Sequence, residues 1–518
     1  MVGRKLLATV ILAALPATNA ANAQTVTPPQ GEPAASSLLS SFVGNYEVAP
    51  DHVLGIDLYA EGGPVSLVYS DYRSGVIRRL AQSGDVFEAG TGFGFTEPAE
   101  FKIRVVRDDG GLPTSLVVEG IEKTPVTARR LAITSTDVTF TSGDATLAGT
   151  LLVPQNSKAP HPAIILLHGS APLTRYSFGP YPHFFTSIGL AVLTFDKRGA
   201  GASTGRYFDY TTPYPNVFAN DAIEAVRFLR TRSEIDSARI GLWGASEGGM
   251  LTTQVAARAK EVAFIINSSG FMVPLWQQVM FNIEALLKAD GFSREDVAEA
   301  VAFEASAMRV MQTGDGWDAY SEAQTKAKET KWFKAYFGNS AGFSSLASLQ
   351  RQWNFVYKFD PLPSLASVDC PVLAVFGALD TSTPARVSAD NMRRILAASG
   401  NQNVTVKIFQ NGNHPLMEAK TGGNAEKPKL GKMAPGVFDT LRTWLIKTAR
   451  IERVTDGGHL RRGGRFWGPD PRASAPAAHG NTGRFQILAD RFPSDADGVW
   501  WPVFRCRSMA GFRCLPRF

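Results

Sequence analysis

The feature that most constrains the fold is a series of short, continuously apolar segments that alternate with segments of helical pattern. The apolar segments are residues 163–167, 190–195, 240–243, 263–266, 371–376 and 404–409. Helical stretches such as residues 221–230 and 388–398 lie between them. Strands that are apolar on both faces and separated by helices indicate a mostly parallel sheet covered by helices. We therefore predict an α/β domain over about residues 137–450.

The third apolar segment runs straight into Gly244-Ala-Ser-Glu-Gly248, and a helix-compatible stretch, 250–259, follows at once. A strand, a Gly-x-Ser-x-Gly turn and a helix together are typical of a nucleophile elbow, in which the flanking glycines prevent a collision with the neighbouring strand and helix. The five-residue pattern alone arises often by chance as a plain Gly/Ser turn. Its strand and helix context favours Ser246 as a nucleophile.

A serine hydroxyl needs a base to take its proton, and in this arrangement the partners follow in the chain order Ser, then Asp or Glu, then His. Only His414, His459 and His479 come after Ser246, and the last two lie in an Arg-rich tail. His414 follows the apolar segment 404–409 and is therefore at the same sheet edge as Ser246. We predict it as the base.

The carboxylate that orients the base is expected after the preceding strand, where Asp380 follows the segment 371–376. Its alternative role is that of a helix N-cap. The oxyanion requires two backbone N–H donors, which we assign to Glu247, directly after the nucleophile, and to Ser170, in the loop after residues 163–167. His168 precedes the nucleophile and is interpreted as a structural residue of that loop.

These motifs resemble those of the α/β-hydrolase superfamily, and most of all bacterial serine esterases and acyl hydrolases related to dienelactone hydrolases and serine aminopeptidases. The resemblance covers residues 138–449. It is carried by Leu167-His-Gly-Ser170, Phe195-Asp-Lys-Arg-Gly199, Ser203-Thr-Gly205, Gly244-Ala-Ser-Glu-Gly-Gly249, Gly377-Ala-Leu-Asp380 and Asn413-His414.

Two positions depart from the superfamily pattern, because many relatives carry His at Ala245 and Gly at Ala171. The second difference predicts a stiffer oxyanion loop. The resemblance also implies that Asp196, Lys197 and Arg198 support the site structurally and are not catalysts.

Residues 271–360 interrupt the alternation with helical periodicity, and Ser293 is placed as the N-cap of one of these helices. We predict a helical cap over the carboxyl edge of the sheet, where active sites of open α/β sheets lie. The alternative is a peripheral helix pair.

Residues 41–136 contain short β-type runs about ten residues apart, which predict a small antiparallel β domain, either a barrel or a sandwich. Gly44-Asn-Tyr46 and Ala128-Arg-Arg-Leu131 give it a resemblance to lipocalin-like domains attached to bacterial serine hydrolases. The resemblance implies a domain that packs against the hydrolase or against a partner subunit. A homodimer through the β domain is therefore left open.

The two ends of the chain differ in composition from the rest. Residues 1–23 have the charged, apolar and small-residue regions of a secretory signal peptide, and residues 24–40 form a flexible linker. The formal charge of +6 comes mostly from the Arg-rich tail, residues 451–518, which we expect to be disordered. We thus expect an exported protein, periplasmic or extracellular, with no transmembrane segment and no nucleic-acid partner.

Together these features predict an exported serine hydrolase that cleaves small-molecule carboxylic esters through an acyl-enzyme, with no cofactor and no metal. An acyl thioesterase or a serine aminopeptidase would use the same three residues. A non-catalytic binding protein on a hydrolase fold is the alternative of another class, since fold does not determine function.

Overall fold

The computed structural model describes residues 39–60, 65–94, 97–155, 157–207 and 214–451. The predicted signal peptide, nearly all of the predicted linker, the Arg-rich tail beyond Ile451, His459 and His479 lie outside the described residues. Expectations about them stay predictions.

The N-terminal domain is a closed antiparallel barrel of eight strands. The strands are β1 Gly44–Ala49, β2 His52–Tyr59, β3 Ser66–Asp71, β4 Ile77–Ser83, β5 Val86–Ala89, β6 Phe101–Arg107, β7 Pro113–Glu119 and β8 Val126–Arg130. Each strand pairs with the next, and the pairing of Tyr46 with Arg130 closes the ring. Side chains such as Tyr69, Phe87 and Ile103 are buried inside it, as expected for a barrel of this strand number. Of the two predicted architectures, the barrel is therefore correct.

The second domain contains an eight-stranded mixed sheet. Its strands are β9 Ile133–Ser142, β10 Ala145–Pro154, β11 His161–Leu167, β12 Ala191–Phe195, β13 Ile235–Ala245, β14 Phe264–Ser268, β15 Val372–Gly377 and β16 Val404–Phe409. The spatial order is β16-β15-β14-β13-β11-β12-β10-β9. All strands from β11 to β16 are parallel, whereas β10 is antiparallel to β9 and β12. This is the predicted α/β-hydrolase sheet.

Helices cover both faces of this sheet. They are α1 Tyr181–Ser187, α2 Asn216–Arg230, α3 Glu247–Arg258, α10 Ala385–Ala398 and α11 Val437–Thr448. Helices α2, α3 and α10 pack on one face, through a core that includes Ile165 and Leu242. Helices α1 and α11 pack on the other face, over Ile164 and Leu166. The alternate residues of β11 thus enter different cores, which is why this strand is apolar throughout.

The segment between β14 and β15 forms the cap. Its helices are α4 Leu275–Ala289, α5 Arg294–Thr313, α6 Trp317–Ala327, α7 Lys331–Phe337, α8 Leu346–Gln352, a π-helical turn Trp353–Tyr357 and α9 Leu362–Leu365. Ser293 caps α5 as predicted, because its hydroxyl accepts the amide of Asp296. The cap lies at the carboxyl edge of the sheet, since Asn282 on α4 donates to the carbonyl of Thr381 at 2.9 Å, just after β15.

The barrel packs against the hydrolase domain on the α1 and α11 side. Asp57 of β2 pairs with His183 of α1 at 2.5 Å, and both side chains are buried. Tyr72 packs edge-on against Phe184 and Phe438. In the described part of the chain, no helix is both long enough and apolar enough to cross a membrane.

Candidate active site

Ser246 occupies the turn between β13 and α3 with φ 57° and ψ −119°. A non-glycine residue rarely adopts a positive φ, so this backbone is strained. Hydrogen bonds hold it in place on both sides. The amide of Ser246 donates to Ser268 at 2.9 Å, and the amide of Met250 donates to the Ser246 carbonyl at 3.1 Å. The turn therefore has the geometry of a nucleophile elbow.

The glycines at either end of this turn allow strand and helix to approach closely. A Cβ on Gly244 would lie 2.1 Å from the carbonyl oxygen of Gly248. A Cβ on Gly248 would lie 2.1 Å from the carbonyl oxygen of Leu167. Both contacts are far shorter than real Cβ contacts. The Gly-x-Ser-x-Gly pattern is thus a steric requirement of the turn.

Asp380 and His414 form a hydrogen-bonded pair in the loops after β15 and β16. His414 Nδ1 lies 2.8 Å from Asp380 Oδ2 and 3.0 Å from Oδ1. Asp380 Oδ1 also accepts the amides of Ser382 and Thr383, each at 2.7 Å. The alternative role of Asp380 as a helix N-cap is not observed, because α10 begins after Pro384. Instead these two turn amides fix the carboxylate that orients the imidazole.

The His414 imidazole has the orientation that a catalytic base requires. With Nδ1–H donated to Asp380, its Nε2 lone pair is left to accept a proton. The His414 side chain is 22% exposed, whereas that of Asp380 is fully buried.

Ser246 is connected to this pair through neighbouring loops and not by a direct hydrogen bond. Its amide donates to Ser268, and the carbonyl of Ser269 accepts the hydroxyl of Thr383 at 2.8 Å. Among the described residues, the Ser246 hydroxyl has no hydrogen-bond partner. Catalytic hydrogen bonds are often long without substrate and tighten when it binds.

The two predicted oxyanion donors belong to residues beside Ser246. Glu247 is the first residue of α3, so its amide has no acceptor within the helix. A Cβ on Gly169 would lie 3.6 Å from the Cβ of Ser246, which places the Gly169–Ser170 peptide beside the nucleophile. In the described chain, neither the Ser170 nor the Glu247 amide donates to a protein group. Both amides are thus available to an oxyanion.

The rest of the loop after β11 is held by other contacts. Ala171 has φ 93°, and its amide donates to the Tyr207 hydroxyl at 2.9 Å. His168 is buried, its Nε2 lies 3.0 Å from the carbonyl of Thr174, and its ring contacts Phe178. Burial, reinforced by the charge of Lys197, lowers the pKa of His168 well below its usual value. A neutral, buried imidazole donating to a carbonyl has a structural role.

Three buried ion pairs surround the site. Arg175 pairs with Asp196 at 3.0 Å, and Arg198 pairs with Asp221 at 2.7 Å. Lys197 pairs at 2.6 Å with Glu247, the residue after the nucleophile. The family resemblance implied that residues 196–198 support the site. Their partners are distant in sequence, so no local pattern could identify those partners.

A strap formed by residues 428–433 connects the His414 loop to the barrel. On one side, the amides of Phe93 and Ile77 donate to Leu430 and Gly431 at 2.6 and 2.8 Å. On the other side, the strap contacts Glu418, which lies four residues beyond His414. The amide of Glu418 donates to the carbonyl of Lys432 at 2.8 Å. The barrel thus supports the loop that carries His414.

The comparisons with known proteins agree with this fold. The model of the alpha/beta hydrolase family matches residues 164–422, which is half of the chain. The chain therefore belongs to the alpha/beta hydrolase family, and it is a hydrolase.

Individual proteins are similar to this chain only at low sequence identity. Esterase EstD of Thermotoga maritima is 24% identical over 309 residues, which cover 58% of this chain and 66% of EstD. An uncharacterized 31.7 kDa protein of Escherichia coli, from the traX-finO intergenic region, is 26% identical over 241 residues, covering 46% of this chain and 79% of that protein. The Pyrococcus furiosus esterase Pf2001 aligns with 17% identity and a TM-score of 0.39, covering 61% of this chain and 92% of the esterase.

Proposed function

We propose that this chain is a serine hydrolase that cleaves carboxylic esters through an acyl-enzyme intermediate. The observation that carries the proposal is the hydrogen bond of 2.8 Å between His414 and Asp380, at the sheet edge where Ser246 occupies a strained strand-to-helix turn. The choice of ester substrates is supported by the similarity to EstD of Thermotoga maritima, which is an esterase.

In the proposed reaction, Nε2 of His414 removes the hydroxyl proton as Ser246 Oγ attacks the ester carbonyl carbon. The negative charge that develops on the carbonyl oxygen is stabilised by the amides of Ser170 and Glu247. The imidazolium, oriented by Asp380, then gives its proton to the leaving alkoxide as the C–O bond breaks. Water, deprotonated by His414, attacks the acyl-enzyme, and the acid is released as the proton returns to Ser246.

The test is hydrolysis of p-nitrophenyl esters of increasing chain length, together with labelling by a fluorophosphonate probe. We expect Ser246→Ala to abolish labelling and to lower kcat by about 10⁶-fold. Ser399→Ala, an exposed serine at the end of α10, is the matched control and should behave like the wild type. A covalent adduct that persists in Ser246→Ala would refute the proposal.

Two further substrates distinguish the alternatives on the same residues. A thioester cleaved faster than its matched oxygen ester would indicate an acyl thioesterase, and cleavage of an aminoacyl anilide would indicate an aminopeptidase. Absence of any adduct and any turnover would indicate a binding protein.

A further inference from the structure

The side chain of Glu247 lies behind the oxyanion site to which its own amide contributes. The carboxylate is 1% exposed and is 2.6 Å from Lys197 Nζ. Its second oxygen accepts the hydroxyl of Ser170 at 3.4 Å. Thus the two residues that supply the oxyanion donors are also connected through their side chains.

Lys197 makes a second contact that bears directly on one donor. Its Nζ donates to the carbonyl oxygen of Gly169 at 2.6 Å. That oxygen and the N–H of Ser170 belong to the same peptide unit, and in a trans peptide they point in opposite directions. When the ammonium holds the oxygen on one side, the Ser170 N–H is directed to the other side of the peptide.

Lys197 is itself held firmly. It is 4% exposed, and its Nζ lies 4.8 Å from the ring centre of Phe218 and 5.4 Å from that of Tyr207. Ring faces attract a desolvated cation, so the ammonium has few alternative positions. Tyr207 also accepts the amide of Ala171, which fixes the next residue of the same loop.

Charge gives the pair a second consequence. A buried carboxylate close to a developing oxyanion would repel its negative charge, and this repulsion is strong where water is excluded. The Lys197 ammonium neutralises Glu247, so the pair adds no net charge beside the oxyanion.

We propose that Lys197 is a positioning residue of the oxyanion hole. It holds the Gly169 carbonyl so that the Ser170 amide faces the reacting oxygen, and it neutralises the Glu247 carboxylate behind that amide. This inference rests on the proposed serine mechanism.

The test compares Lys197→Met with Glu247→Gln on matched oxygen and thiono esters. A thiocarbonyl accepts hydrogen bonds weakly, so the ratio of the two rates reports on the oxyanion donors. Lys197→Met should lower kcat by about 10²-fold, as loss of one oxyanion donor does, with little change in KM. It should also lower the oxygen-to-thiono ratio by roughly tenfold, the effect of one lost hydrogen bond to a charged group.

Glu247→Gln retains the contact between Lys197 and Gly169, so its rate ratio should stay near that of the wild type. The double variant, Lys197→Met with Glu247→Gln, should have a higher kcat than Lys197→Met alone, because no unpaired carboxylate remains. Each rate is divided by the concentration of active enzyme, which is measured with the fluorophosphonate probe.

Arg198→Met is the matched control, because it breaks a neighbouring buried ion pair, with Asp221, that does not touch the oxyanion loop. It should lower thermal stability and leave the ratio unchanged. If Lys197→Met does not fold, Lys197→Gln, whose donor is uncharged and one atom closer to the backbone, must show the fall in ratio.

An unchanged ratio in the folded Lys197 variant, or an equal fall in Arg198→Met, would overturn the inference while leaving the serine mechanism intact. Failure of the proposed function is seen separately, as wild-type protein without esterase activity or as full activity in Ser246→Ala, and it would remove this inference too.

Discussion

The carboxyl group of Glu304, buried in the cap, should make the free energy of unfolding depend on pH. Replacing this residue should remove that dependence. Glu304 lies on α5 and is 3% exposed. In the described chain, no side chain forms a hydrogen bond or ion pair with it. Burial alone raises its pKa to about 7. The neighbouring phenols of Tyr320, Tyr336 and Tyr357 are also buried, and their raised pKa values keep them neutral under ordinary conditions.

The magnitude follows from proton linkage. The pKa of Glu304 is about 7 when folded and 4.5 when unfolded, so the folded chain binds more protons between these values. Proton binding to Glu304 therefore contributes fully to the free energy of unfolding below about pH 4.5, and this contribution is lost as the pH rises through about 7. At 1.36 kcal/mol per pKa unit, the free energy of unfolding should fall by about 2–3 kcal/mol between pH 5 and pH 8 through this group.

The substitution Glu304→Gln keeps the shape of the side chain and removes its titration. We expect the substitution to change the free energy of unfolding, relative to the wild type, by about 2–3 kcal/mol more in the stabilising direction at pH 8 than at pH 5. Urea unfolding followed by tryptophan fluorescence at both pH values measures the difference. Glu322→Gln, an exposed position on α6, is the control and should show no such pH dependence. Equal effects of Glu304→Gln at pH 5 and pH 8 would refute the reasoning.

Two other substitutions test how the site is held. Asp380→Asn keeps an acceptor for the turn amides but removes the carboxylate that fixes the His414 tautomer, so kcat should fall by about 10⁴-fold with the fold retained. Ester hydrolysis and circular dichroism check this, and activity within tenfold of the wild type would contradict it. Gly92→Ala places a Cβ 2.7 Å from the carbonyl of Pro428 in the strap. It should lower kcat, with a smaller effect on KM, by displacing the His414 loop. The control is Gly110→Ala, at an exposed barrel turn, where the Cβ would meet only the Asp108 side chain, at 3.4 Å; equal kcat values in the two variants would count against a role for the strap.

Much of the fold was predictable because its signals are local. The six apolar segments correspond to β11–β16, and the helical insertion corresponds to the cap. Strand β13 begins earlier than predicted, at Ile235, because its first residues include the polar Asp236 and Arg239 and do not extend the apolar run. The sheet also begins at Ile133, four residues before the predicted domain start, since β9 pairs along its full length with β10.

Closure of the barrel could not be predicted from local pattern. A barrel and a sandwich both need short alternating strands, and they differ in which edge strands pair. Here the decisive contact joins Tyr46 to Arg130 across most of the domain. No short-range signal specifies such a pairing, because it depends on the accumulated twist and tilt of all the intervening strands.

The site shows the same division between local and long-range information. Chain order selected Asp380 and His414 from few candidates, and the structure places the two side chains in contact. The elbow glycines form a local sequence pattern, although the atom that excludes a Cβ at Gly248 belongs to Leu167, on another strand. By contrast, Lys197 meets Glu247 only because β12 ends and α3 begins at the same edge of the sheet. The sequence around Lys197 does not indicate which carboxylate it will meet. The groups that perform the proposed chemistry are therefore readable from sequence, whereas those that orient the donors and balance their charge are set by topology, and only the assembled sheet reveals them.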